Sequence, residues 1–322
     1  MNAILENLSK LGIIPVITIN DAEKAVPLAK ALTKGGIPCA EITLRTSEGE
    51  EAIRKISKEL PDMLVGAGTV LTIEQVDRAI NAGAKFIVTP GLNSKVVEYC
   101  NKKNILVTPG CSTPSDIEKA LELNLEVVKF FPAEQSGGIK YINAIAAPYK
   151  SVMFMPTGGI NAINLNDYLA SENVLCCGGS WMVKEELIDG SNFDEIARLT
   201  SEAIYSMLGF ELAHIGINAK KQEESLEAAK LLELIFGFAV KNKNSSAFSD
   251  TYIEIIKEPF LGKNGHIAIY TNHIERAIAF IERKGYQINY ETVKKDNEGK
   301  LLSIYIKDEI LGFAIHLLQK KR

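Results

Sequence analysis

The sequence predicts an α/β chain: a (β/α)8 barrel of the TIM type over residues 1–209, then a smaller α+β domain of tandem β-α-β repeats over 210–322. Three observations carry this. Between Leu11 and about Leu208, short apolar runs alternate with helical patterns at a repeat of roughly 20–27 residues, enough for one strand, one helix and two short loops. The runs are almost continuously apolar, as in a parallel sheet covered on both faces. After Phe210 that grammar stops, and two stretches that open on histidine look like copies of each other.

In order, the runs are GIIPVITI (12–19), AEITLR (40–45), LVGAGTV (64–70), FIVTPG (86–91), ILVTPGC (105–111), EVVKFFPA (126–133), SVMFMPTGG (151–159) and NVLCCGGS (173–180). Eight units in about 200 residues match the count and lower size limit of a barrel. An open doubly wound sheet is the competitor. It usually has fewer units and a G-x-G-x-x-G turn after its first strand, which is lacking here. The later copies are HIGINAKKQEESLEAAKLLELIFGF (214–238) and HIAIYTNHIERAIAFIERKGY (266–286). YIEII (252–256) follows the first; INYET, LLSIYI and FAIHLL follow the second. KNKNSSAFSD (241–250) reads as a surface hairpin or loop, and the first copy looks one strand short.

Hydrophobic residues make up 46% of the 322 and charged residues 24%, an ordinary globular balance. The formal charge is −4 with no basic stripe, which argues against a nucleic-acid partner. The first residues, MNAILENLSKLG, lack the apolar core of a signal peptide. No apolar run approaches the roughly 18 residues of a membrane span. The five cysteines form no CxxC pair, which fits free thiols in a reducing cytoplasm.

Unusual residues gather at strand ends, where barrels place their chemistry. Lys129 lies inside the sixth apolar run. A buried, unpaired ammonium is costly, so either the amine becomes neutral and suited to Schiff-base chemistry, or it reaches the barrel mouth or pairs with a carboxylate. On the second run, alternation puts Glu41, Thr43 and Arg45 on one face. They form a structural salt bridge, or Glu41 moves protons and Arg45 holds a substrate carboxylate. Thr69 ends the third run beside two glycines, mostly a turn signal. Pro90 belongs to a second turn and is a candidate pocket wall. Gly158, Gly159, Gly179 and Ser180 follow the seventh and eighth runs, where barrels commonly hold a phosphate on backbone N–H groups. All four histidines lie beyond residue 210, so the first region holds no metal-ligand set and no cofactor is expected.

These residues resemble the bacterial 2-dehydro-3-deoxy-phosphogluconate aldolase / 4-hydroxy-2-oxoglutarate aldolase family. The motifs are EITLRT (41–46), VGAGTVL (65–71), VTPG (88–91), PGCSTPSDI (109–117), VKFFPAE (128–134), PTGGI (156–160) and GGSWMV (178–183). The resemblance implies a class I aldolase with Lys129 as the Schiff-base lysine and Glu41 as the acid/base. Arg45 and Thr69 would hold the carboxylate end of a 2-oxo acid. Phe131 and Thr157 would line the pocket, with the distal phosphate on Gly158, Gly159, Gly179 and Ser180. It also implies a homotrimer. Other phosphate-binding barrels, such as isomerases, share the glycine pairs but need no buried lysine.

The second region resembles, more weakly, the vicinal oxygen chelate superfamily that includes glyoxalase I. There metal ligands come from the first and last strands of each module, and the corresponding positions hold His214, Glu254, His266 and His316. The alternative is a binding or oligomerisation module in which those histidines only pack. His273 starts a helix.

Overall fold

In the computed structural model, which describes residues 2–321, Asn2 caps helix α1 (Ala3–Leu11) by accepting from the Ile4 N–H at 2.8 Å. Strands and helices then alternate: β1 (Ile13–Ile17), α2 (Ala25–Gly35), β2 (Cys39–Thr43), α3 (Gly49–Glu59), β3 (Leu64–Gly68), α4 (Ile73–Asn81), β4 (Phe86–Val88) and α5 (Ser94–Lys102). They continue with β5 (Leu106–Thr108), α6 (Pro114–Glu122), β6 (Val127–Phe130), α7 (Gly138–Ala146), β7 (Met153–Pro156), α8 (Leu165–Leu169), β8 (Cys177–Gly179), α9 (Glu185–Asp189) and α10 (Phe193–Leu208). Helix starts carry the expected side-chain acceptors. Thr113 and Asp116 form a reciprocal capping box, and Pro114 opens the first turn of α6.

The strands run parallel in the order β5-β4-β3-β2-β1-β8, and β6 pairs with β7. Two short links join these runs. The Cys111 N–H donates to the Lys129 carbonyl at 2.8 Å and the Lys129 N–H to the Pro109 carbonyl at 2.9 Å; beyond β7, Thr157 bridges to Gly178. The result is a curled parallel sheet in an α/β fold. Its apolar runs are continuous because both faces are covered: all five residues of β2 are buried, as are Ile13, Ile14, Ile87, Val128, Phe130 and Phe154.

Two strands stop short of their expected ends. β2 pairs with β3 up to Thr43 opposite Gly68, and the chain then turns so that α3 can begin at Gly49. Arg45 therefore lies in a turn and is exposed, not on the inward face of the strand with Glu41 and Thr43. Thr69 stands in the turn after β3 at φ 57.

The chain folds as two compact units, Met1–Met207 and Leu208–Arg322. The second holds β9 (Glu211–Asn218), α11 (Gln222–Phe236), β10 (Val240–Asn242), β11 (Ser246–Ser249), β12 (Ile253–Ile256), β13 (Gly265–Thr271), α12 (Ile274–Arg283), β14 (Ile288–Lys295), β15 (Leu301–Ile310) and β16 (Phe313–Gln319). Its eight strands form one sheet, β10-β11-β12-β9-β13-β16-β15-β14. Each half is a β-α-β-β-β module, and the halves meet where β9 and β13 pair antiparallel. The first module is not short of a strand: 241–250 folds as part of the β10–β11 hairpin, whose outer strand is a polar edge without an apolar pattern. His273 is the N-cap residue of α12. No described helix is long and apolar enough to cross a membrane.

Candidate active site

Lys129 is the third residue of β6, and Glu41 is the third of β2. Nζ of Lys129 donates to Oε1 of Glu41 at 3.2 Å, with side-chain exposures of 8% and 0%. Pairing is how a buried ammonium escapes the cost of isolation. Of the alternatives open for these residues, the structure joins Glu41 to Lys129 rather than to Arg45. Among the described residues, Oε2 of Glu41 is buried with no hydrogen-bond partner, so half of this carboxylate is uncommitted. Nζ also lies 5.4 Å from the ring centre of Phe131.

Lys129 opens into a cavity of about 750 Å³. Arg45, Phe131, Thr157, Gly158, Gly159, Gly179 and Ser180 line it as well. Glu41 is outside the lining, fully buried, and hydrogen-bonded to Lys129. Thr69 and Pro90 are outside the lining; Pro90 is exposed and its carbonyl packs against Gly110. Sequence reasoning missed Thr18, Trp181 and Lys184, which also line the cavity. Trp181 carried a usable signal, being the chain's single tryptophan and following Ser180 after the Gly178–Gly179 pair. The Thr157 hydroxyl is buried without a partner among the described residues.

The turn after β7 has the geometry of an anion site. Gly158 and Gly159 stand at φ 97 and 80, which a side chain rarely tolerates. The carbonyls of Thr157 and Gly158 accept from the Ala133 and Glu134 N–H groups at 2.8 and 3.1 Å. The carbonyl of Gly159 accepts from the side-chain amides of Asn161 and Asn164 at 3.2 and 3.1 Å. Among the described residues, the N–H groups of Gly159 and Ile160 have no protein acceptor, while the bridge from Thr157 to Gly178 turns the Gly158 N–H toward the Gly178 carbonyl. Two adjacent free donors at a tight glycine turn suit an anion.

The family described as KDPG and KHG aldolase matches residues 4–199, more than half of the chain. The chain belongs to that family. It is 50% identical over 201 residues to the 2-dehydro-3-deoxy-phosphogluconate aldolase of Haemophilus influenzae, covering 62% of this chain and 95% of that one. With the KHG/KDPG aldolase of Escherichia coli K12 it shares 44% over 192 residues, 60% of this chain and 90% of the other. Among solved structures, the KDPG aldolase of Legionella pneumophila, with pyruvate captured at low pH as a covalent carbinolamine intermediate, superposes with a TM-score of 0.61 at 39% identity. That match covers 63% of this chain and 98% of the other. The aldolase unit therefore accounts for the first region; residues after 199 lie outside the family match.

The second unit carries its own cluster. His214 and His316 both pair with Ala268, from opposite sides, while His266 and Glu254 both pair with Gly216. With a side-chain period of two, these registers put all four side chains on one face of the sheet. The available ligand atoms of the three histidines lie within 4.8 Å of one another. Oε2 of Glu254 is 3.2 Å from Nε2 of His214 and 3.3 Å from Nε2 of His266, and those two nitrogens are 3.0 Å apart. Gly216 is needed here: a Cβ on it would lie 2.2 Å from the ring of His266. Burial raises the Glu254 carboxyl, but hydrogen bonds from His214, His266 and Ser246 outweigh it and hold the group well below its ordinary value. Burial, with the neighbouring histidines, pushes His316 down to about 3.

Proposed function

We propose that the eight strands of the first unit close into a (β/α)8 barrel and that its cavity is the site of a class I aldolase reaction. The observation that carries this is the buried Lys129–Glu41 pair at 3.2 Å, opening into a cavity with Arg45 and a glycine cradle. The covalent pyruvate carbinolamine of the Legionella relative supports it. Lys129 passes a proton to Glu41 and attacks C2 of the 2-oxo acid; Glu41 returns that proton to the carbinolamine hydroxyl, and water leaves to give a protonated imine. Arg45 pairs with the substrate carboxylate. Glu41 takes the proton of the C4 hydroxyl, the C3–C4 bond breaks, and its electrons move into the iminium to form an enamine. Protonation at C3 and hydrolysis release pyruvate and restore the amine. From 2-dehydro-3-deoxy-6-phosphogluconate the other product is glyceraldehyde 3-phosphate, whose phosphate sits on Gly158, Gly159, Gly179 and Ser180. From 4-hydroxy-2-oxoglutarate it is glyoxylate. The iminium is the electron sink, so this sequence of steps calls for no metal. A homotrimer, testable by light scattering, is part of the proposal. Borohydride reduction with pyruvate should add a stable adduct to the parent and none to Lys129→Ala; equal labelling of both would refute the assignment.

We also infer that the second unit binds a divalent cation through His214, Glu254, His266 and His316. The Nε2 atoms of His214 and His266 and one carboxylate oxygen lie mutually within 3.0–3.3 Å, and one proton on each Nε2 satisfies at most two of the three contacts. Both nitrogens of His316 are buried and without a partner among the described residues. Lone pairs aimed at one point are the arrangement a cation relieves, and imidazole with carboxylate suits zinc, nickel, cobalt or iron. Bound there, the ion would supply Lewis acidity. Metal analysis of the purified chain before and after dialysis against chelator, compared with His316→Ala, tests this; equal metal in both proteins would refute it.

A further inference from the structure

The turn at Gly158–Ile160 is held in shape by side chains that take no part in the chemistry above. Asn164 precedes α8 and spans the turn: its Nδ2 donates to the Gly159 carbonyl at 3.1 Å and its Oδ1 accepts from the Asn161 N–H at 2.8 Å. Behind the turn, the Glu134 N–H donates to the Gly158 carbonyl at 3.1 Å. A Cβ on Gly159 would lie 2.5 Å from Cγ of Glu134, so the Gly159 backbone packs directly against the Glu134 side chain. The Glu134 carboxylate is turned to the Tyr168 hydroxyl, which donates to its Oε1. Tyr168 is 1% exposed, and burial together with that acceptor raises its phenol above the ordinary range, so it stays a donor.

Peptide planarity gives these contacts a consequence. The carbonyl of one residue and the N–H of the next belong to one rigid plane and point opposite ways. Pinning the Gly158 carbonyl aims the Gly159 N–H, and pinning the Gly159 carbonyl aims the Ile160 N–H. Both carbonyls are pinned, the first by the Glu134 N–H and the second by Asn164 with Asn161; of these, Glu134 and Asn164 lie outside the cavity lining. We propose that Asn164 and the Glu134–Tyr168 pair are positioning residues that set the preference for a phosphorylated over an unphosphorylated 2-oxo acid. They do so by holding these N–H groups on the phosphate. The inference rests on the reading of this turn as the phosphate cradle.

Steady-state kinetics on both substrates, with inorganic phosphate as a competing anion, test it in the full-length chain. Asn164→Ala and Tyr168→Phe should each raise KM for the phosphorylated substrate by about tenfold and weaken inhibition by inorganic phosphate in parallel. Their kcat, and their kcat/KM for 4-hydroxy-2-oxoglutarate, should stay within about twofold of the parent. Glu134→Ala should behave as Tyr168→Phe does. Glu134→Gln keeps an acceptor oxygen for the tyrosine and should restore the parent KM. Glu134 is exposed, so its two variants carry the test if a buried substitution fails to fold. Equal losses on the two substrates, or an unchanged KM for the phosphorylated one, would overturn the inference. A parent that phosphate inhibits, with variants inhibited equally, overturns the inference alone. A parent indifferent to phosphate removes the cradle and the inference together.

Discussion

Replacing Glu41 by glutamine changes the chemistry of the site with almost no change in shape. Glu41 is fully buried, its Oε1 accepts from Lys129, and its Oε2 has no protein partner among the described residues. The amide oxygen of Gln can still accept from Nζ, so packing and one hydrogen bond survive. The stability cost should therefore resemble that of a charge-assisted hydrogen bond turned neutral, about 1–3 kcal/mol, rather than that of an abandoned buried ion. The catalytic cost is larger. A positioned general base contributes about 10²–10⁴-fold, or about 3–5 kcal/mol of barrier. Pyruvate release from 2-dehydro-3-deoxy-6-phosphogluconate should fall by that factor, and so should exchange of the pyruvate methyl protons in deuterium oxide, followed by NMR. Borohydride should still trap pyruvate on Lys129. A Glu41→Gln enzyme that cleaves and exchanges within about tenfold of the parent would show that the proton goes elsewhere, water held by Thr157 being the next candidate.

Gly159→Ala meets both a φ of 80 and Glu134 Cγ at 2.5 Å, so the first unit should lose about 1–3 kcal/mol in denaturant unfolding, and KM for the phosphorylated substrate should rise. Zinc or nickel added at a hundred times its dissociation constant should stabilise the second unit by about 2.7 kcal/mol in calorimetry, and His316→Ala should abolish the gain. Burial pushes the Cys100 thiol up to about 11 and the Cys111 thiol up to about 12, from 9.0. Between pH 9 and those values the folded chain keeps protons that the unfolded chain has lost. Stability of the first unit should therefore fall as pH rises above 9, and Cys100→Ala should flatten that slope in thermal melts between pH 8 and 11. The five buried thiols should react with Ellman's reagent at pH 8 only on unfolding.

Lys129 was legible because a charge inside a continuous apolar run has few inexpensive solutions, and the paired glycines because they recur after consecutive strands. What the strand pattern could not show is where pairing stops. Alternation carried Arg45 onto the face of Glu41, whereas the register of β2 on β3 ends at Thr43, so Arg45 meets the cavity from a turn. Thr69 and Pro90 read from the residues mostly as turn positions, and the pocket role that the resemblance gave Thr69 and the turn suggested for Pro90 does not appear in the lining, since turn geometry rather than sequence position decides what faces the pocket. Asn164 and Tyr168 were illegible for a different reason. They act on the cradle through a carbonyl and a neighbouring carboxylate, and neither residue type is unusual in a polar helix start or a buried helix face.

The second unit reverses the balance. Its strands were partly hidden, because β10 is a short polar edge strand and edge strands need only one partner and little apolar surface. Its four candidate ligands were nevertheless all visible, because each module opens on a histidine strand and carries its second candidate on its last strand. The structure adds the registers. Sharing Ala268 and Gly216 as pairing neighbours brings residues 214, 254, 266 and 316 from four strands onto one small patch of one face. A one-residue slip of any of these strands would send its ligand to the opposite face. The cluster therefore depends on the sheet being assembled from both modules, and a cation bound there would oppose their separation. The first unit needs no such staple, since its buried Lys129–Glu41 pair is held within a parallel sheet that is covered on both faces.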